Sequence, residues 1–318
     1  MDVDSTIRLI AEKDLQALAD TVRTGDAGRP HHGSVADDRP LPSTLPSPVD
    51  PLRLSGKVVI ITGAASGIGR AVARLFSSLG SLLVLTDWDT QGLKVLDEEL
   101  GASPGRITVD GDLNAPGTAT RVLERALDRF GAVDSVVFAA GASATGRLSE
   151  ISAAEFSQSI ERNLDVHFPL SQAVLAHFSK SAATGSGCSL VYIVSKVAVA
   201  PSVGFGAYPI AKAAELQLAR IVALEGAAVG VRANVVNPGA VFEGSQFWGP
   251  QLRAEKSASH RVAPEDLETY YTQRTMLRVR VTPTEVAETV AFLASPCSRA
   301  TTGAVIPVDG GLPTTFGR

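Results

Sequence analysis

Tyr208 and Lys212 stand four residues apart, in the run Tyr-Pro-Ile-Ala-Lys-Ala-Ala-Glu. On a helix that spacing puts both side chains on one face. A lysine ammonium beside a phenol favours the phenolate and lowers the phenol's pKa towards the working range. Such a pair can take a proton from an alcohol or return one to a carbonyl. Ser195 lies 13 residues earlier, at the end of the apolar run Leu190 to Val194. A hydroxyl there can hold an oxygen on which negative charge develops.

A second constellation lies near the start of the regular sequence. Val58 to Ile61 is wholly apolar and is followed by Thr62-Gly63-Ala64-Ala65-Ser66-Gly67-Ile68-Gly69. Gly63 permits a tight exit from a strand, and Gly67 lets backbone approach a pyrophosphate. Gly69 lets a helix pack close to the sheet. The helix start at Ser66, Gly67 and Ile68 offers free N–H groups to phosphate. Asp87 follows Gly69 by 18 residues and ends the next apolar run. A carboxylate there can accept both hydroxyls of an adenosine ribose and would repel a 2′-phosphate, so it favours NAD over NADP. The plain alternative is a surface Asp at a strand end. Asp112 and Leu113, after a third run, could meet the adenine by hydrogen bond and by packing.

These residues need a scaffold. Apolar runs at Val58 to Ile61, Leu82 to Leu85, Ile107 to Val109, Val133 to Phe138, Leu190 to Val194, Val231 to Val236 and Ala304 to Val308 have strand length. Helical faces stand between the first four, marked by Ala71, Val72, Leu75 and Phe76, then Leu93, Leu96 and Leu100, then Val122, Leu123, Leu127 and Phe130. Strands apolar on both faces, alternating with helices, predict an α/β fold: a Rossmann-type, doubly wound parallel sheet in a single domain. Active sites of such sheets sit at the strands' C-terminal ends, where Ser195 falls.

Composition narrows the class further. The chain has 318 residues, 19% of them charged, with net charge −4. Residues 1–51 hold five basic and nine acidic residues, whereas 52–318 hold 24 of each. A neutral body lacks the basic face that nucleic acid needs. No apolar run is long enough to span a bilayer. The acidic start Met1-Asp2-Val3-Asp4 is not that of a signal peptide. Cys188 and Cys297 form no disulfide framework or CxxC pair and read as two small core residues. These features together predict a cytoplasmic protein without a metal site. Residues 1–51 form an appendage. It has helical spacing over 5–23 and then a linker with six of the 18 prolines. His31-His32 in that linker lacks further ligands. Deleting 1–50 is expected to leave cofactor binding and turnover intact.

At this point the sequence resembles the short-chain dehydrogenase/reductase family. The matching stretches are Thr62 to Gly69, Asp87, Asp112-Leu113, Ala140-Gly141, Asn163, Ser195, Tyr208 with Lys212, Asn237-Pro238-Gly239 and Val308-Asp309-Gly310-Gly311. They fall in family order over 54–318. The resemblance implies that Ser195 orients the substrate oxygen and Tyr208 exchanges its proton. Lys212 lowers the Tyr208 pKa and holds the nicotinamide ribose, and Asn163 supports a water-linked path to Lys212. It also implies cofactor contacts from Ala140, Gly141, Pro238, Gly239 and Val241, and a homotetramer or homodimer built on the helices of Asn163 and Tyr208.

Three departures stand out. Phe138-Ala139 replaces the usual Asn-Asn, which is expected to loosen the central strand or the adenosine end. Ala211 replaces the usual Ser before the lysine, and Glu243 replaces a Thr that touches the carboxamide. Val194-Ser195-Lys196, Ala211 to Glu215, Ala223 to Gly226, Thr301 to Ala304, Glu243 to Trp248, Tyr270 to Arg274 and Phe316-Gly317-Arg318 resemble the dehydrogenase half of bifunctional rhamnulose-phosphate aldolase/lactaldehyde dehydrogenase proteins. That implies a small polar hydroxyaldehyde, sugar or polyol substrate.

About 40 residues, 242–281, form an insertion rich in aromatic and basic side chains. It reads as a lid in which Glu243, Gln246 and Trp248 shape the substrate pocket, or as an oligomer contact. His167 and His177 read as packing or surface residues. Other functions stay open: a cofactor-binding regulator without turnover, a reductase of a 3-oxoacyl or other hydrophobic ketone, or a sugar dehydratase or epimerase.

Overall fold

The structure, a computed structural model, describes residues 50–180 and 187–315. The expected helix over 5–23, the proline-rich linker and the chain's last three residues lie outside the described residues.

Strand β1 (Val58–Thr62) is buried at all five positions and stands third in a seven-stranded sheet. To one side lie β2 (Leu82–Asp87) and β3 (Arg106–Asp110). To the other lie β4 (Ser135–Phe138), β5 (Cys188–Ile193), β6 (Val231–Pro238) and β7 (Val305–Val308). Every pairing is parallel, with Thr62 opposite Thr86 on β2 and Phe138 on β4. The chain runs outward from β1 to β3 and then returns to β4 beside β1. That reversal makes the crevice where an open sheet of this kind binds ligand.

Alternate residues feed two cores. Val59, Ile61, Leu83 and Leu85 pack against α1 (Gly67–Ser78), α2 (Thr90–Glu99) and α9 (Pro283–Ala294). Ile60, Val84 and Val136 pack on the other face against α3 (Thr118–Phe130), α5 (Phe168–Lys180) and α6 (Tyr208–Gly226). Each fully buried Val, Leu or Ile contributes about 1.5–3 kcal/mol, so a strand such as β1 is fixed by burial on both sides. Helix α9 starts with Thr282 and Glu285 in a reciprocal cap.

A third cluster lies at the strands' C-terminal ends. Val197, Phe205, Tyr208, Phe242, Trp248, Leu252 and Leu267 share it. The 242–281 segment that contributes to it contains α7 (Pro250–His260) and α8 (Leu267–Gln273). Helix α4 (Ala153–Asn163) opens on the capping box Ser152–Glu155 and ends at the residue that resembles the family's asparagine.

Two expectations are corrected. Cys188 is buried, but Cys297 is exposed, because it falls on a short 3-10 turn after α9 rather than on a packed face. The change to Phe138-Ala139 does not loosen the centre. Thr62 Oγ1 accepts the N–H groups of Ala139 (3.1 Å) and Ala140 (3.3 Å), and Phe138 stacks on Tyr192 with centroids 4.3 Å apart.

Candidate active site

One cavity of about 330 Å³ crosses the C-terminal ends of the strands. It gathers Gly63, Ser66, Gly67, Ile68, Asp87, Asp112, Leu113, Ala140, Gly141, Asn163, Ser195, Tyr208, Lys212, Pro238, Gly239, Val241, Gln246 and Trp248. Two expected residues lie apart. Gly69 lies beneath the cavity, where a Cβ would sit 2.1 Å from the Gly63 carbonyl oxygen. It therefore serves helix–strand packing. Glu243 is exposed and borders a separate recess with Arg70, Arg74 and Pro283, on the α1 side of the glycine turn.

The glycine turn is built for close approach. Gly63 has φ +63°, and a Cβ there would lie 2.6 Å from the Ala140 nitrogen. Ser66 precedes α1 and makes no side-chain cap bond, and the first helical N–H groups have no intrahelical acceptors. One of them is already used: Gly67 N–H donates to the Gly244 carbonyl at 3.0 Å.

At the far end Asp87 is half-buried. Its Oδ2 accepts the Ala65 N–H (3.0 Å) and its Oδ1 the Asp89 N–H (2.9 Å). Burial pushes its carboxyl up, and those two N–H groups pull it back. Asp112 Oδ1 accepts the Asn114 N–H (2.9 Å), while Leu113 is buried. Beside them the Arg162 guanidinium lies 5.4 Å from the centre of the Trp88 ring.

At the near end Tyr208 is the first residue of α6, and Lys212 follows one turn later. Both are buried. Lys212 Nζ donates to the Ile193 carbonyl at 3.0 Å, which ties α6 to the end of β5. Ser195 sits just past β5 in extended backbone, where its hydroxyl oxygen accepts the Val197 N–H at 3.4 Å and lines the same cavity as Tyr208. The sequence predicts a lowered phenol pKa, but the net direction is upward. Burial of Tyr208 outweighs the Lys212 ammonium and the Ser195 hydroxyl, which both lower it.

Asn163 is buried and turned inward. Its Oδ1 accepts the Ala142 N–H (3.0 Å), and its Nδ2 donates to the Ser159 carbonyl (3.0 Å). Helix α4 breaks at Leu164 (φ −127°, ψ −60°), and the His167 N–H turns to the Leu164 carbonyl. That withdraws from the Asn163 carbonyl its usual helical donor. A Cβ on Gly141 would fall 3.1 Å from Asn163 Oδ1 and 3.6 Å from Lys212 Nζ. The bare glycine keeps open the space in front of both. The Asp87 carboxylate, the N–H groups at the start of α1 and the Lys212 ammonium thus lie along one continuous trough.

Rings of the 242–281 segment line the near end. Trp248 stacks on Phe242 (4.2 Å, 17°) and meets Phe247 and Tyr271 edge-on. Lys196, next to Ser195, points its ammonium over the Tyr271 ring at 5.0 Å. Burial and the Arg274 charge bring its pKa down to about 8. Trp88, Arg162 and Lys196 line the cavity unforeseen, yet each is the chain neighbour of a predicted residue. Phe205 and Tyr271 carry no such signal.

Comparison with known proteins decides the family. A family model described as enoyl-(acyl carrier protein) reductase matches residues 63–313. L-fucose dehydrogenase of Mus musculus is 31% identical over 267 residues, 84% of this chain and 92% of that protein. The chain belongs to the short-chain dehydrogenase/reductase family. Within that family it is 33% identical to the crystal structure of an oxidoreductase from Burkholderia thailandensis, with TM-score 0.68 over 81% of this chain and 93% of that one. A 3-ketoacyl-(acyl-carrier-protein) reductase from Brucella melitensis, complexed with NADH, is 25% identical with TM-score 0.71 over 81% and 98%. The uncharacterized oxidoreductase YuxG of Bacillus subtilis is 34% identical over 267 residues, 83% of this chain. The match spans only 38% of YuxG's length. These comparisons reach the family and stop short of the rhamnulose-phosphate aldolase/lactaldehyde dehydrogenase subgroup. No helix among the described residues is long and apolar enough to cross a membrane, and no cluster of metal-ligating side chains occurs among them.

Proposed function

We propose that this oxidoreductase uses NAD to interconvert an alcohol and a carbonyl on a small, oxygen-rich substrate such as a hydroxyaldehyde, sugar or polyol. The observation that carries the reading is the convergence of Ser195, Tyr208 and Lys212 on a cavity whose other end holds Asp87. Asp87, the Gly67–Ile68 turn, Gly141 and Lys212 would hold the dinucleotide, and its nicotinamide supplies the hydride acceptor or donor. In oxidation the Tyr208 phenolate accepts the substrate hydroxyl proton. The Ser195 hydroxyl donates to the oxygen as carbonyl character grows, and Lys212 stabilises the phenolate by its charge. Asn163 holds the loop after β4 and leaves its carbonyl free to order a water towards Lys212. Reduction runs the same steps backwards.

The polar substrate is supported by Lys196, an ammonium facing the cavity over Tyr271 with no hydrogen-bond acceptor or ion-pair partner among the described residues. An aromatic wall beside an ammonium suits a sugar-like molecule, whose C–H faces stack on rings while its oxygens take the charge. The relative L-fucose dehydrogenase agrees with that class. Assembly through α4 and α6 belongs to the same reading, since Ile210, Ile221 and Leu224 of α6 are exposed.

A second reading rests on the rings alone. Phe205, Phe247, Trp248 and Tyr271 could enclose the chain of a hydrophobic ketone. The deciding experiment follows NADH absorbance with a panel of short polyols, sugars and 2-hydroxyaldehydes against 3-oxoacyl thioesters. Turnover with the first group and NAD is expected. Turnover confined to the thioesters or to NADP would overturn the first reading.

A further inference from the structure

Lys212 has a second partner that the proton transfer above does not use. Its Nζ donates to Glu215 Oε2 at 2.7 Å. The other carboxylate oxygen, Oε1, lies 3.2 Å from His167 Nε2. Lys212 is 3% exposed, and Glu215 and His167 are 0% exposed. The sequence places His167 among packing or surface residues. Packed it is, but against a charge.

Two elements create this cluster. Lys212 and Glu215 share a face of α6 one turn apart. His167 ends the 3-10 turn Asp165–His167, which exists because α4 stops at Asn163. Phe138 then seals the imidazole edge-on at 5.7 Å, in the place where the family usually has an asparagine. Burying a carboxylate costs several kcal/mol unless a partner compensates. Packing alone would be served by an apolar side chain at 215.

We propose that Glu215 positions the Lys212 ammonium beside Tyr208 through the 2.7 Å bond and supplies its countercharge. The proposal rests on the reading of Tyr208 and Lys212 as the proton-transfer pair. Four titratable groups face Glu215: Lys212 and Tyr208 from α6, His167 from the turn and Tyr192 from β5. Burial and the Lys212 charge hold His167 well below its ordinary value, so it stays a neutral imidazole. Burial keeps Tyr192 a neutral phenol, with its hydroxyl 2.7 Å from Ser171 Oγ. Burial outweighs the Lys212 ammonium and leaves the Glu215 carboxyl raised to about 7. Glu215 in turn raises both Lys212 and Tyr208. It keeps the lysine charged at the cost of a less acidic phenol.

The sign of the test follows. Glu215→Gln keeps the shape and removes one negative charge, so Tyr208 and Lys212 both lose their protons at lower pH. Both limbs of the kcat/KM profile are expected to move to lower pH by about one unit or more, the scale of a neighbouring charge. A second readout needs no cofactor. The ultraviolet tyrosinate absorbance of the free enzyme, with Tyr208→Phe as blank, should reach its Tyr208 midpoint at lower pH. Glu215→Met removes the same charge from the same buried position, should shift both in the same direction, and carries the test if Glu215→Gln does not fold. A lower kcat with both limbs and the tyrosinate midpoint unmoved would reduce Glu215 to packing and overturn the proposal. Retained turnover in Tyr208→Phe would instead overturn the proton-transfer reading itself.

Discussion

The Oδ1 atom of Asn163 accepts the Ala142 N–H at 3.0 Å. That bond fastens the loop after β4 to the end of α4, beside the lysine. Asn163→Ala leaves a half-buried N–H without its partner, at about 1–3 kcal/mol. A fall in thermal stability and a turnover lower by at least roughly tenfold are expected. Asn163→Asp keeps the acceptor and should lose less stability. Equal melting of both variants and the parent would show that the loop is held by other contacts.

Tyr208 is the proton carrier of the proposed reaction. Tyr208→Phe removes only the hydroxyl, and turnover should fall by about 10²–10⁴-fold. NADH binding, followed by fluorescence, should survive within a fewfold, because the ring still packs beside Phe247 at 5.1 Å.

Asp87 should set cofactor choice. A 2′-phosphate near its carboxylate meets a repulsion of about 1–4 kcal/mol, depending on screening. The ratio of kcat/KM for NAD over NADP should therefore exceed about tenfold, and Asp87→Asn should narrow it. Asn retains an oxygen for one of the Ala65 and Asp89 N–H groups. A parent enzyme that prefers NADP would refute the argument.

Lys196 is expected to make substrate binding pH-dependent. Its pKa is lowered to about 8, so the ammonium present below that pH is lost above it. KM for an acidic or polyhydroxy substrate should rise as pH passes 8, and Lys196→Met should remove that rise. The same lowering bears on stability. The unfolded lysine holds its proton up to its ordinary value of 10.5. Between about 8 and that value the folded state binds fewer protons, so this residue's contribution to stability grows with pH.

Trp248 ties the lid to Phe242. Trp248→Ala should raise KM and alter the substrate profile, with a stability loss of about 3–5 kcal/mol if the cluster cannot collapse. An unchanged KM and profile would show that this segment is not a lid.

Much of the scaffold was legible because β1 and β2 are covered on both faces. Val58 to Ile61 and Leu82 to Leu85 can be nothing but apolar there. At the sheet's edge Arg106 opens β3 and its own donors reach Asp97 and Gly101, which hides the strand's start. Tyr208 and Lys212 were legible because one helix sets their spacing. Glu215 with His167 was not, since their meeting requires α6 to pack on a turn 48 residues earlier in the chain. The Thr62 hydroxyl that steadies Ala139 and Ala140 was missed for the same reason. Glu243 was misplaced because the chain turns back over α1 at Gly244, and spacing alone does not reveal that turn.

The bond from Gly67 N–H to the Gly244 carbonyl joins the turn at one end of the trough to the segment that leads into the rings at the other. One N–H cannot serve both a carbonyl and a phosphate oxygen equally well. A dinucleotide that takes this donor loosens the segment just upstream of Gln246 and Trp248.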